Sequence, residues 1–257
     1  MTTSKNPSAR PPEAGFDPLG GSTAVPRSRG AVISAFLFDL DGTLIDSMPH
    51  HHVAWQEWHR RRGLDFDEDG FFAATAGRAN AEIMRTLIPG RTADDYLAMG
   101  DEKEALYREI AMHSLELIEG FEALRAAARA RGLKLAICTA STPENMALAF
   151  ERFGLDVQMD TVVSPADGVR GKPHPDIFLE AARRLDVPPE QCIVFEDAPL
   201  GIEAAQRARM MAVALTTSLP AEEFAAYDNV LGIVPDLSAI DVDALLRDAQ
   251  KKETSDA

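Results

Sequence analysis

The stretch AVISAFLFDLDGT, residues 31–43, decides the fold of this chain. Its first part, residues 31–38, is an apolar run of the kind that forms a parallel strand buried on both faces. Asp39 and Asp41 follow at once. Alternate residues of an extended segment point to the same side, so both carboxylates should face one crevice. We therefore predict a buried parallel sheet with an acidic site at its carboxyl edge.

Apolar runs of the same kind recur further along the chain. They are LKLAIC (133–138), DTVVS (160–164), CIVFED (192–197), MAVAL (211–215) and VLGIV (230–234). Helical patterns lie between them, over residues 121–131, 143–153, 175–185 and 200–209. Strands that alternate with helices of about ten residues indicate βαβ units. The predicted fold class is therefore α/β, with a doubly wound, Rossmann-like parallel sheet as its core.

Residues 48–118 break this alternation, because they show helical patterns and no candidate strand. The patterns cover residues 47–63, 67–75, 80–87 and 93–117, the last with an interruption expected at Gly100. An insertion that leaves the end of the first strand lies over the edge where doubly wound sheets bind ligands. We therefore predict an α-helical cap domain that can act as a lid. The catalytic core would then comprise residues 31–47 and 119–247.

The two ends of the 257-residue chain differ from this ordered middle. Residues 1–30 contain four Gly, five Pro and four Ser, a composition that predicts a disordered N-terminal tail. This segment is slightly basic, so a targeting peptide is the alternative to an inert tail. The polar residues 248–257 are expected to form a C-terminal tail.

Composition and charge restrict the classes of function. A formal net charge of −15 repels nucleic acid and anionic membranes, so neither is an expected partner. No apolar stretch has the length of a membrane span, and no signal peptide is recognisable. The two cysteines lie in strand-like runs, which argues against a disulfide framework. We expect a cytoplasmic protein, and the sequence leaves its oligomeric state open.

The pair Asp39 and Asp41 indicates a cation site. Two unpaired carboxylates at one crevice would repel each other, and one of them would hold a proton. A divalent cation removes this conflict, and hard oxygen ligands with retained waters suit Mg²⁺. We therefore predict Mg²⁺ as the cofactor.

Four motifs then follow one another in a fixed order. They are DLDGT (39–43), ICTAS (137–141), GKPHPD (171–176) and FEDAPLG (195–201). Together they resemble the motifs of the haloacid dehalogenase-like hydrolase superfamily, and the resemblance covers residues 31–245. The helical insertion after the first motif is similar to that of the β-phosphoglucomutase and phosphoglycolate phosphatase group.

The resemblance implies a Mg²⁺-dependent phosphatase that acts on a small phosphorylated metabolite, such as a sugar phosphate, through an aspartyl-phosphate. Asp39 would attack phosphorus, and Asp41 would protonate the leaving oxygen and then activate water. Thr139 and Lys172 would hold the phosphoryl oxygens. The implied metal ligands are Asp39, Asp41 through its backbone carbonyl, Asp197, and Glu196 either directly or as an outer partner.

The resemblance also assigns cap residues to the substrate. His51 lies twelve residues after Asp39 and aligns with a family histidine that contacts the catalytic acid. Arg78 and Asn80 belong to the stretch GRAN (77–80), which resembles the family's substrate-specificity loop. Lys103 aligns with a cap lysine that reaches the substrate phosphate. The structural alternative for His51 and Lys103 is an ordinary place on an exposed helix face.

Other functions remain as alternatives to hydrolysis. A β-phosphoglucomutase-type enzyme carries an arginine at the fourth position of the specificity loop, where this chain has Asn80, and the arginine here is Arg78. This displacement favours a phosphatase over a mutase. The non-enzymatic alternatives are a receiver-like signalling domain and a degenerate phosphate-binding member of the superfamily. The inserted cap argues against the first, and the complete set of motif carboxylates argues against the second.

Overall fold

The computed structural model describes residues 32–68, 70–75 and 78–255, so the predicted N-terminal tail lies outside the described residues. The strands are β1 (Ala35–Phe38), β2 (Lys134–Cys138), β3 (Thr161–Val163), β4 (Cys192–Glu196), β5 (Met211–Leu215) and β6 (Val230–Val234). The helices are α1 (Met48–Arg62), α2 (Phe71–Thr75), α3 (Asn80–Leu87), α4 (Ala93–Ala111), α5 (Phe121–Ala130), α6 (Pro143–Phe153), α7 (Leu155–Gln158), α8 (Asp176–Leu185), α9 (Pro199–Arg207) and α10 (Val242–Ser255).

The strands form one parallel sheet in the order β3-β2-β1-β4-β5-β6. From β1 the chain builds one half of the sheet outward to β3, and it then returns to the other side of β1 at β4. The direction of winding therefore reverses at β1, and the crevice at such a switch point is where doubly wound sheets bind ligands. This topology confirms the predicted α/β fold with a doubly wound core.

Both faces of β1 are buried, which explains why its sequence is apolar rather than alternating. Phe36 and Phe38 lie on one face, where their rings contact Phe195 of β4 at centroid distances of 5.0 and 4.7 Å. Ala35 and Leu37 lie on the other face, in a cluster with residues of α8 and α9. All four residues of β1 are inaccessible to solvent. The central strand is therefore held from both sides, and the residues that follow it are fixed accordingly.

Helices α1–α4 pack together over residues 48–111, and Trp58 and Tyr107 are fully buried among them. The predicted interruption at Gly100 is wrong, because α4 continues through it. A Cβ atom at Gly100 would lie 3.3 Å from the Cβ of Asn80 at the start of α3. The glycine therefore allows α3 to approach α4 closely rather than ending the helix.

Two chain segments join this helical unit to the sheet, and they run side by side. Ile45 and Leu117 form an antiparallel bridge. The backbone N–H of Asp46 donates to the carbonyl of Glu116 at 2.9 Å, and the N–H of Ile118 donates to the carbonyl of Leu44 at 2.9 Å. The segment that leaves the sheet and the segment that returns to it are thus joined by backbone hydrogen bonds.

Most predicted elements agree with the structure to within a few residues, and three disagree more clearly. The first strand begins at Ala35 rather than at residue 31, and α4 ends at Ala111 rather than at 117. The predicted C-terminal tail is wrong over residues 248–255, because α10 continues to Ser255 and Ala249 is fully buried against the core. No helix among the described residues is long and apolar enough to cross a membrane.

The buried position of Ala249 gives a test of the C-terminal helix. Ala249→Asp would place a carboxylate in an apolar environment, and we expect it to lower the free energy of unfolding by about 2–4 kcal/mol. The neighbouring Gln250 is exposed on the same helix, so Gln250→Asp should cost less than about 1 kcal/mol. Urea unfolding of both variants measures the difference. Equal stabilities would contradict the docking of α10.

Candidate active site

Three carboxylates meet at the carboxyl ends of β1 and β4. Asp39 directly follows β1, and Glu196 and Asp197 stand at the end of β4, its neighbour in the sheet. The backbone N–H of Asp39 donates to the carbonyl of Phe195 at 3.0 Å, which fixes the two strand ends to each other. Each acid offers an oxygen within 4.8 Å of the others, and all three residues are buried. They form a compact site of oxygen donors.

The ammonium of Lys172 bridges two of these acids. Its Nζ donates to Oδ1 of Asp39 at 2.6 Å and to Oε1 of Glu196 at 2.5 Å. Burial favours the neutral amine, but the charges of both carboxylates outweigh it and raise the pKa of Lys172. The lysine therefore stays cationic beside Asp39, where it can neutralise an anionic ligand.

The remaining negative charge is large for a buried site. Burial, together with the charges of Glu196 and Asp197, raises the pKa of Asp39 well above its usual value, although Lys172 opposes this. Burial and the charge of Glu196 raise the pKa of Asp197 to about 7. One ammonium does not balance three carboxylates, and a divalent cation among them would do so. A donor set made only of oxygens fits Mg²⁺.

Asp197 is oriented by groups from two other segments. Its Oδ1 accepts from the Thr43 hydroxyl at 3.0 Å, and its Oδ2 accepts from the Ser218 hydroxyl. Gly42 has φ +77°, and a Cβ there would lie 2.2 Å from Oδ2 of Asp197, so only glycine fits this turn. Ser218 is not among the residues predicted from the sequence. Its place shortly after β5 is the signal that could have identified it, because the carboxyl ends of parallel strands converge.

Glu196 has no oxygen left without a partner. Oε2 accepts the backbone N–H groups of Asp197 and Ala198 at 3.1 and 3.0 Å, while Oε1 accepts from Lys172. Helix α9 packs on the same carboxylate, since a Cβ at Gly201 would lie 1.9 Å from Oε1. Glu196 thus accepts three hydrogen bonds, whereas Asp197 accepts two and Asp39 accepts one from Lys172. This geometry makes Glu196 the group that holds Lys172 in place and leaves Asp39 and Asp197 more capacity to bind a cation.

Asp41 faces the same crevice from the turn after β1. Its Oδ2 accepts from the Ser141 hydroxyl, and its Oδ1 lies 3.6 Å from Nε2 of His51. Burial opposes ionisation, but the contact with Nε2 of His51 and the hydrogen bond from Ser141 outweigh it and lower the pKa of Asp41 to about 2. Thr139 is buried nearby at the end of β2, where its Oγ1 accepts the N–H of Ser141 at 2.9 Å. Asp41 is therefore held as a carboxylate.

The structure also brings two predicted cap residues to Asp41. The ring of His51 stacks on Tyr107 with centroids 3.8 Å apart. The buried Lys103 donates from Nζ to Nδ1 of His51 at 2.6 Å. Since an ammonium can only donate, Nδ1 is an acceptor and the ring hydrogen lies on Nε2, facing Asp41. The order Lys103, His51, Asp41 is thus a chain of two polar contacts, a hydrogen bond at 2.6 Å and a longer electrostatic contact at 3.6 Å.

The two specificity-loop residues differ in their positions. Asn80 donates from Nδ2 to the carboxylate of Glu104 at 2.5 Å, inside the cap. Arg78 instead contacts the carbonyls of Ala74 and Glu82 and the hydroxyl of Thr86, so its described partners all belong to its own stretch of the cap. The first residue of the predicted loop, Gly77, lies outside the described residues.

Sequence reasoning missed Glu104 and its partner Asn145 of α6. Both are buried, but in the sequence Glu104 is one acid in a charged helix, and Asn145 is a polar residue in the first turn of another. Only the packing of α4 on α6 reveals their contact.

A buried carboxylate site at the switch point of a doubly wound sheet, with a lysine across it, can hold a cation and an anionic ligand side by side. The family model for haloacid dehalogenase-like hydrolases matches residues 33–209. The chain belongs to this family.

Relatives and solved structures agree with this assignment. A fructose-1-phosphate phosphatase of Escherichia coli, YqaB, is 34% identical over 70% of this chain and 95% of its own length. A beta-phosphoglucomutase of Bacillus subtilis is 28% identical over 73% of this chain and 85% of its own. A crystal structure of a family IA, variant 3 hydrolase from Entamoeba histolytica has a TM-score of 0.78 at 27% identity, covering 84% of this chain and 99% of that one.

The packing of Gly201 on Glu196 predicts that catalysis depends on a residue outside the crevice. Gly201→Ala should displace the Glu196 carboxylate and, with it, Lys172. Since charge neutralisation and positioning carry phosphoryl transfer, we expect kcat/KM for an aryl phosphate to fall at least about tenfold. Gly232→Ala is the matched control, because a Cβ there meets nothing within 4 Å, and it should stay within about twofold. A similar loss in both variants would contradict the role of Glu196.

Proposed function

We propose that this chain is a Mg²⁺-dependent phosphatase that hydrolyses a small phosphorylated sugar through an aspartyl-phosphate. The observation that carries the proposal is the contact of Lys172 with Asp39, because it places a fixed cation beside the predicted nucleophile. The names of two relatives, a fructose-1-phosphate phosphatase and a beta-phosphoglucomutase, support a sugar phosphate as the substrate class.

In the first step an oxygen of Asp39 bonds to phosphorus, and the bond from phosphorus to the leaving oxygen breaks. Lys172 balances charge on the phosphoryl oxygens, and Thr139 is the predicted hydroxyl partner. Asp41 gives a proton to the leaving oxygen. The resting form of Asp41 is the carboxylate, given its pKa of about 2, so this proton has to arrive with the substrate. The monoanion of a phosphate ester carries one, since its second pKa is about 6.

In the second step water attacks phosphorus, and the bond from phosphorus to the oxygen of Asp39 breaks. One proton of the water passes to the Asp41 carboxylate, and phosphate is released. The low pKa of Asp41 suits this role, because a base must be deprotonated when the water attacks. Asp41 then passes its proton to the departing phosphate, so the two steps together return Asp39 and Asp41 to their starting carboxylates.

The metal would be held by the carboxylates of Asp39 and Asp197, with the backbone carbonyl of Asp41 as the ligand that the family resemblance implies. Glu196 would act as an outer partner that keeps Lys172 in place. When bound, Mg²⁺ balances the negative charge that Asp39, Asp197 and a phosphate group bring together. This local reversal of charge allows a chain with a net charge of −15 to bind an anionic substrate.

Hydrolysis is favoured over the mutase alternative by the cap. A mutase has to hold a second phosphate group, which calls for further cationic side chains around the substrate. Arg78 is held by carbonyl groups of its own segment, and Asn80 is held by Glu104. We therefore propose release of phosphate as the reaction. The cytoplasmic location and the absence of nucleic-acid partners stay predictions from the sequence.

The nucleophile is tested by Asp39→Asn. An amide oxygen does not displace the leaving group, so we expect phosphate release from an aryl phosphate to fall at least about 10³-fold. Asp46→Asn is the matched control, because Asp46 is an exposed acid in the same loop, and it should stay within about twofold. EDTA should abolish the wild-type activity and added Mg²⁺ should restore it. Activity that survives either treatment would contradict the proposal.

The same enzyme distinguishes hydrolysis from isomerisation. With hexose 1-phosphates and 6-phosphates we expect free phosphate and sugar, and Arg78→Ala should leave the rate of phosphate release within about twofold, because Arg78 contacts its own segment. Phosphorus NMR detects both kinds of product. Interconversion of the two esters faster than phosphate release, in the presence of a bisphosphate, would favour the mutase instead.

A further inference from the structure

One buried carboxylate, that of Glu104, connects the cap to the core. Its Oε1 accepts from Asn80 at 2.5 Å and from Lys103 at 2.9 Å, both in the cap. Its Oε2 accepts from Nδ2 of Asn145 at 2.6 Å, and Asn145 belongs to α6, beside the sheet. Glu104 is 6% exposed and Asn145 is 4% exposed. The contact is therefore an internal one between two units of the fold.

A second contact fixes the direction of the Asn145 amide. Its Oδ1 accepts from Nη1 of Arg108 at 3.0 Å, and Arg108 lies one helical turn beyond Glu104 on α4. Asn145 thus donates to one cap residue and accepts from another on the same helix. Both hydrogen bonds cross from α6 to α4, so they form only while the cap lies on the core.

Glu104 also provides the counter-charge for Lys103. A buried ammonium without an anionic partner loses its proton readily, and Lys103 is 2% exposed. Burial opposes ionisation of Glu104, but the charge of Lys103 and hydrogen bonds from Asn80 and Asn145 outweigh it, and the pKa of Glu104 is about 2. Burial lowers the pKa of Lys103, and the charge and hydrogen bond of Glu104 oppose this shift. The same carboxylate holds Nζ of Lys103 at 2.6 Å from Nδ1 of His51, whose Nε2 faces Asp41.

We propose that Glu104 is a positioning residue for the catalytic acid–base group: through Lys103 and His51 it aligns Asp41 when the cap is docked on Asn145. This inference rests on the proposed phosphatase function. It predicts that the two chemical steps respond differently to the loss of Glu104. Hydrolysis of the aspartyl-phosphate transfers a water proton to Asp41 and so needs it aligned. Attack by Asp39 on an ester with a very good leaving group needs no proton from Asp41.

The experiment uses 2,4-dinitrophenyl phosphate with the full chain and Mg²⁺ in a rapid-mixing instrument. The release of dinitrophenolate in the first turnover reports formation of the aspartyl-phosphate, and the later linear rate reports its hydrolysis. Glu104→Gln keeps the size of the side chain and removes its charge. We expect the burst to keep its rate within about threefold, while the linear rate falls at least about tenfold.

Asn145→Ala tests whether docking on the core contributes. It removes the contact to Glu104 from the other side and should lower the linear rate in the same direction. The double variant should be no slower than the slower single variant, because both changes break one chain of contacts. Glu102→Gln is the matched control: Glu102 lies on the same helix, its side chain is 42% exposed and it pairs with Arg62 of α1, so both phases should stay within about twofold.

Two outcomes would overturn the inference. If the burst amplitude and the linear rate of Glu104→Gln fall together, in a variant whose thermal unfolding matches that of the wild type, Glu104 supports the site as a whole and does not position Asp41. If the linear rate is unchanged, Glu104 has no part in the reaction. A wild-type chain that releases no phosphate from any ester would instead contradict the proposed function, so the two failures are distinguishable.

Discussion

The site depends on one buried ammonium group between two strand ends. Lys172 contacts Asp39 after β1 and Glu196 at the end of β4, so it compensates acids that would otherwise repel one another inside the protein. The parallel sheet makes this necessary, because the ends of neighbouring strands bring their carboxylates into one crevice. Lys172 balances only one of the three negative charges of the site. The remaining negative charge allows the site to hold a divalent cation beside an anionic ligand.

Most of the core site was predictable from the sequence because its residues follow strands. The apolar run that stops at Asp39 predicts a strand, and Asp39 marks its carboxyl end. Thr139 and Asp197 mark the carboxyl ends of β2 and β4 in the same way. Residues held by contacts between helices were not predictable. Glu104 and Asn145 meet only because α4 packs on α6, and neither the spacing nor the polarity of these helices specifies which residues face each other.

Local composition is a poor guide where tertiary packing decides the structure. The end of the chain is polar, which indicates a tail, yet the burial of Ala249 shows that α10 is docked through a single apolar position of that stretch. Gly100 is the opposite case. Glycine weakens an isolated helix, but here its missing side chain makes room for Asn80, and the close contact of the two helices is compatible with an uninterrupted α4.

The paired segments at Ile45 and Leu117 have a consequence for the history and the folding of the molecule. An insertion whose two ends are neighbours in space leaves the host backbone almost unchanged, so caps of different size or shape can be exchanged at this point without rebuilding the sheet. The long sequence separation between β1 and β2 adds little to the entropy of pairing them, because loop closure depends only logarithmically on length. The sheet can therefore tolerate a large and variable structure between its first two strands.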